Sequence, residues 1–328
     1  MYLKGSAIDC TDLLSQLHTF LEGAGWETDY YGPRNAGASG VQYSFHKGDL
    51  YVTMFANPAE VANPLTSSDK RGRVSVQVHG PYVPTDWENQ KNGSGYQQTN
   101  GLTDPIKNFW FFEGEEGGSQ YAYVVCEVTT GVFKHFHVGK LKKRGQTYEN
   151  GNFVTCSNWY YNSTSVTDQP DSSWHSAPFD DVNNSSNLYN GMVVRLDLGG
   201  VSPRWWKSNP YFANSRVNEL RVGYRGGDSY GTIHALKDWG LSTETGRTPL
   251  SPLHTSIYRG DGYYSYIGEP PGVRYIDITN YEGAQELAVG SDTWLVFPVH
   301  RKIFTSQSPY SAAYGLAYKK VIDWCLCA

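Results

Sequence analysis

The sharpest local pattern is His135-x-His137. On a strand the side-chain period is two, so both imidazoles fall on one face, a geometry that can hold a metal ion. Phe133 shares that face, and Phe136 and Val138 point the other way, toward a core. Only two of the three or four usual ligands are visible, so a further ligand would have to come from elsewhere or from symmetry mates. The simpler expectation is two polar residues on a solvated or interfacial sheet face, with no metal at His135 and His137. Carboxylates cluster at Glu113, Glu115 and Glu116 in the string FFEGEEGG, and again at Asp180 and Asp181. A glycoside hydrolase needs two carboxyls roughly 5–9 Å apart across a cleft. A Gly-rich turn with three Glu reads more simply as an exposed hairpin tip. The chain has no G-x-S-x-G elbow, no Walker A loop and no G-x-G-x-x-G before a helix, so nucleophile and nucleotide motifs are missing. The expectation is therefore no catalytic residue, no cofactor and no enzyme activity. Aromatic clusters offer a different chemistry, that of contact. Trp205 and Trp206 adjoin in Pro203-Arg-Trp-Trp-Lys, and Tyr258, Tyr263, Tyr264 and Tyr266 crowd another stretch. Tyr and Trp supply rigid area with a polar tip. Trp205, Trp206, Tyr258, Tyr263 and Tyr264 are thus candidates for a protein interface or for stacking on sugars.

The elements that position these residues read as mainly β. One helix is expected first. Leu13, Leu14, Leu17, Phe20 and Leu21 lie on one helical face, Asp9 or Thr11 can cap its start, Gly23 can end it, and Trp26 closes over it. A hairpin follows, with Val41–Phe45 and Leu50–Phe55 joined at His46-Lys-Gly-Asp, and then a strand at Arg73–His79. Residues 1–82 read as a small α+β domain, and the polar, turn-rich residues 83–106 as a linker or long loop. From 107 two hairpins run in series. Tyr121, Tyr123, Val125 and Glu127 alternate with Ala122, Val124, Cys126 and Val128, and Val132–Leu141 returns. Short connections join antiparallel neighbours. Strands are expected again at Val273–Ile278, Gln285–Val289, Thr293–Pro298 and Tyr314–Val321. Residues 107–328 then form a β-rich domain, a sandwich or barrel-like set of antiparallel sheets, with a loop-rich insertion at 158–271. A loop segment that long is more often a contact surface than a connection.

Composition agrees. The chain has 328 residues with 10 Trp, 25 Tyr, 13 Phe, 35 Gly and 16 Pro, and 18% are charged. Disordered chains are poor in aromatics, and helical bundles are rich in Ala, Leu, Glu and Lys. No apolar run reaches the ~18 residues of a membrane helix, so no membrane insertion is expected. A net charge of −5 argues against a nucleic-acid partner, which favours a basic face. Five cysteines, at 10, 126, 156, 325 and 327, form no C-x-x-C pair, and the first ten residues lack a signal-peptide core. Free thiols in a reducing cytoplasm are expected, with Cys325 and Cys327 not bonded to each other.

Three stretches resemble a family of tailed-bacteriophage virion structural proteins. The first runs from Tyr121 to Leu141 and holds Glu127-Val-Thr-Thr-Gly-Val-Phe-Lys-His-Phe. The second is Gly268-Glu-Pro-Pro-Gly-Val-Arg-Tyr, continued by Leu287-Ala-Val-Gly-Ser-Asp-Thr-Trp-Leu-Val-Phe-Pro. The third is Tyr314-Gly-Leu-Ala-Tyr-Lys-Lys. The resemblance covers about 107–157 and 268–321, and its motifs are strands and turns, not catalytic signatures. It implies a non-enzymatic structural subunit of a phage tail, of the baseplate or tail-adaptor kind, assembled in the host cytoplasm and carried in the virion. Its partners would be other tail proteins and copies of itself in a symmetric ring. The alternatives are a head-tail or neck connector subunit and a carbohydrate-binding module that recognises a host-surface glycan.

Overall fold

A computed structural model describes residues 1–34, 40–58, 72–84, 90–102, 105–143, 148–159, 175–176, 178–179, 192–197, 204–207, 220–222, 249–260, 263–299 and 314–321. Asp180, Asp181, Cys325, Cys327, most of 158–271, and the side chains of Tyr258, Tyr263 and Tyr264 lie outside what is described.

The helix forms where its apolar stripe predicts it, over Cys10–Gly23. Asp9 caps it, accepting from the backbone N–H of Thr11 and Asp12 at 2.7 and 2.9 Å, which satisfies two of the orphan donors of the first turn. Gly25 at φ +78° turns the chain out of it, and Trp26 folds back with its N–H on the Leu21 carbonyl at 3.0 Å. Leu13, Leu14, Leu17, Phe20 and Leu21 are all buried, each worth roughly 1.5–3 kcal/mol of transfer free energy.

That stripe packs on a five-stranded antiparallel sheet ordered Glu27–Pro33, Val41–Lys47, Leu50–Asn57, Gly72–His79 and Gln97–Leu102. Its last strand comes from within 83–106, the segment expected as a linker or long loop. The middle layer of the molecule is a seven-stranded antiparallel sheet. Its order is Tyr2–Ala7, Ile106–Glu116, Ser119–Thr129, Val132–Lys140, Glu149–Cys156, Val193–Asp197 and Arg204–Lys207. The chain's first strand therefore edges the middle layer rather than the N-terminal sheet. The other layer is a five-stranded sheet ordered Ser251–Pro252, Val273–Asp277, Tyr314–Lys320, Asp292–Pro298 and Gln285–Val289. Two smaller sheets complete the described strands, and none of the sheets closes into a barrel.

The pleat assigns the two faces of the middle sheet. Phe109, Phe111, Ala122, Val124, Cys126, Phe136 and Val138 face the helix and the N-terminal sheet in one core. Trp110, Phe112, Tyr121, Tyr123, Val125, Phe133 and Phe153 face Val273, Tyr275, Leu295, Phe297, Leu316 and Tyr318 in a second. Both faces of the middle sheet are thus dry. Among the described residues the exposed large hydrophobics are Leu3, Ile8, Tyr31, Val83 and Val289, a single aromatic.

Candidate functional site

The second core holds the two histidines. His135 and His137 sit on the central strand Val132–Lys140, pleated toward the C-terminal sheet, and both have no exposed surface. The sequence expectation of a solvated or interfacial face is corrected: the C-terminal sheet lies on that face. From it, Tyr318 reaches between the rings. The Tyr318 hydroxyl is 2.7 Å from His135 Nδ1 and 2.7 Å from His137 Nε2. His135 Nε2 is 2.9 Å from the Pro298 carbonyl oxygen.

These contacts fix the protons. Pro298 O only accepts, so His135 carries its hydrogen on Nε2. Burial pushes the His135 pKa down to about 3, so the ring is neutral at pH 7 and its Nδ1 is a bare acceptor. Tyr318 must then donate to it. Burial also raises the Tyr318 hydroxyl well above its ordinary value, so it keeps its single proton and can only accept from the other side. His137 supplies that bond from Nε2–H and is itself held neutral, its pKa well below the imidazole range through burial and the neighbouring His135. The relay is directional: His137 to Tyr318 to His135 to the Pro298 carbonyl. The Tyr318 ring lies near-parallel to the His137 ring, at 5.5 Å and 11°. A second staple runs beside it, with Tyr123 Oη donating to the Pro271 carbonyl at 2.6 Å.

The chemistry open to this cluster is narrow. Both nitrogens of His135 and Nε2 of His137 are engaged, leaving the Nδ1 lone pair of His137, which has no hydrogen-bond partner. The two imidazoles therefore present no convergent pair of lone pairs. Among the described residues no three His, Cys, Asp or Glu side chains group to hold a metal. Sequence reasoning paired the histidines but missed Tyr318 and the Pro298 carbonyl, which lie more than 160 residues away. Their one signal was membership of the stretches that carry the resemblance.

The carboxylates do not share a cleft. Glu113 is not on the hairpin tip; it is buried on the N-terminal side, where Lys47 Nζ donates at 2.7 Å, Trp26 Nε1 at 3.2 Å and the Met1 amino group also bonds. Three residues on, the pleat turns Glu116 the opposite way. It bonds Lys142 Nζ at 2.5 Å and the Gly272 N–H at 3.2 Å, with an Arg274 nitrogen at 3.8 Å. Burial raises its pKa, yet these partners win and hold the carboxyl below its usual range. Glu115 alone of the three is exposed.

The tryptophan pair divides in the same fashion. Trp206 is buried in the second core, whereas Trp205 is half-buried against the first and donates from Nε1 to the Asn92 carbonyl at 3.3 Å. Both rings are used inside the chain. No protein-family model matches this chain, and neither does any curated protein.

Proposed function

We propose that this protein is a non-enzymatic structural subunit of a bacteriophage tail, of the baseplate or tail-adaptor kind. It acts by packing against other tail proteins and copies of itself in a symmetric ring. It works without a cofactor, nucleic acid or membrane insertion. No helix among the described residues is long and apolar enough to cross a membrane.

One observation carries the reading. The three stretches that resemble the phage family, far apart in sequence, meet at a single buried junction. The first supplies His135 and His137, the second supplies the Pro298 carbonyl, and the third supplies Tyr318. The Gly268–Tyr275 part of the second stretch is tied in as well, through Tyr123 and the Pro271 carbonyl. Their shared content is therefore a way of fastening two sheets face to face. Such a device supports a scaffold role: neutral, dry groups hold shape, whereas catalytic groups need access to substrate and poised protonation.

Removing the gene from the phage genome tests this. Infected cells should accumulate filled heads with absent or incomplete tails, and supplying the chain in trans should restore intact particles. Normal tailed particles without the chain would refute it.

A further inference from the structure

Proteins with open sheets guard their edge strands, because an unpaired strand edge is a template for another chain. Most edges here carry a guard. Glu27–Pro33 ends in proline and has a register break between Thr28 and Tyr30. Tyr2–Ala7 carries Lys4 and breaks register between Gly5 and Ala7. Arg204–Lys207 is short and basic at both ends, and Ser251–Pro252 has two residues. The outer strand of the C-terminal sheet, Gln285–Val289, has none of these devices. It contains no Pro, Lys, Arg or Gly, and pairs with its inner neighbour through five consecutive residues without a break. Four of its five residues are exposed, and no described strand lies beyond it. Its one charge, Glu286, is matched by Lys320 Nζ at 2.6 Å.

We propose that this edge pairs with the same edge of a second copy, antiparallel about a two-fold axis through Leu287. The five-residue sequence suits that register. Leu287 meets its own copy, Gln285 meets Val289 and Glu286 meets Ala288, so no like charges stand opposite one another. The faces match too. Leu287 packs against a small outer cluster of Ile276, Ile278, Tyr281, Trp294, Val296 and Ala317, and Val289, on its side of the strand, is 45% exposed. Two-fold pairing sets the two outer clusters end to end, covers both Val289 side chains and leaves one continuous sheet running through two chains. This contact does not depend on the tail reading; a ring would need other surfaces besides.

Sedimentation of the full chain tests it, with three variants. The wild type should dimerise below ~100 μM, a concentration that fills an interface of micromolar Kd. Val289→Lys should weaken the dimer tenfold or more, and because that side chain is nearly half exposed the fold should persist, as circular dichroism will report. Leu287→Cys, oxidised, should yield a dimer whose disulfide joins the two substituted positions in peptide mass spectrometry, since paired antiparallel residues lie within disulfide reach. Glu115→Cys, on a remote hairpin, should not cross-link. A wild type that stays monomeric to ~100 μM, a Val289→Lys dimer of unchanged Kd, or Leu287→Cys cross-linking no better than Glu115→Cys would each overturn the proposal.

Discussion

Tyr318 does two jobs with one hydroxyl, and its loss should be felt twice. In Tyr318→Phe the ring still fills its place among Phe112, Phe297 and the two imidazoles. What goes is an acceptor for His137 Nε2–H and a donor for His135 Nδ1. Unsatisfied buried polar groups cost about 1–3 kcal/mol each, so urea unfolding at pH 7.5 should show a loss of about 2–4 kcal/mol. A change under ~1 kcal/mol would mean that the relay does not fasten the sheets. The same cluster sets an acid limit. His135 falls to about 3 on burial and His79, under the N-terminal sheet's polar face, to about 4; His137 shifts the same way. Unfolded histidines titrate near ~6.5, so between that value and the folded pKa the unfolded chain binds protons that the folded chain refuses. Stability is then full above pH ~6.5 and falls as pH drops, by roughly 2 kcal/mol per histidine at pH 5. Urea midpoints measured from pH 7.5 to 5 should slide steadily downward; a flat profile would contradict neutral, buried imidazoles.

At the scale of elements, Gly272 shows why one turn is glycine. It sits at φ +64°, and a Cβ there would lie 2.4 Å from Tyr121 Cζ. Gly272→Ala combines left-handed strain with overpacking and should cost about 2–4 kcal/mol by thermal or urea unfolding; a neutral substitution would mean that the turn does not press on the Tyr121 ring. The strands around it are legible in the sequence because their signal is local. The alternation from Tyr121 to Val128 yields both face sets, and Gln285–Val289 follows from the sequence with its observed ends. The helix is legible from its stripe and its Asp9 cap. What period-two patterns do not carry is what lies on each face. Tyr121, Tyr123 and His137 look like an amphipathic, half-wet side, and only the return of Tyr314–Lys320 some 180 residues later makes that side dry. Glu113 is misplaced by sequence for a related reason: the glycines of FFEGEEGG suggest a turn from its start, whereas strand pairing runs to Glu116 against Ser119 and the tip is Gly117–Gly118.

For the whole molecule, the middle sheet is the common wall of two cores, which explains how a chain with so many aromatics and only 18% charged residues shows few of them at its described surface. The tail proposal rests on the junction built from the three family-like stretches, and the two-fold contact rests separately on the unguarded Gln285–Val289 edge. The proposed tail role is tested most directly by quantitative mass spectrometry of virions purified from cells in which this chain's gene is expressed, calibrated against a major tail protein. A tail subunit should be present in every preparation at a fixed copy number above one per particle, retained through density-gradient purification and high-salt washing. Absence from the particles, or trace amounts that vary between preparations and wash away, would contradict it.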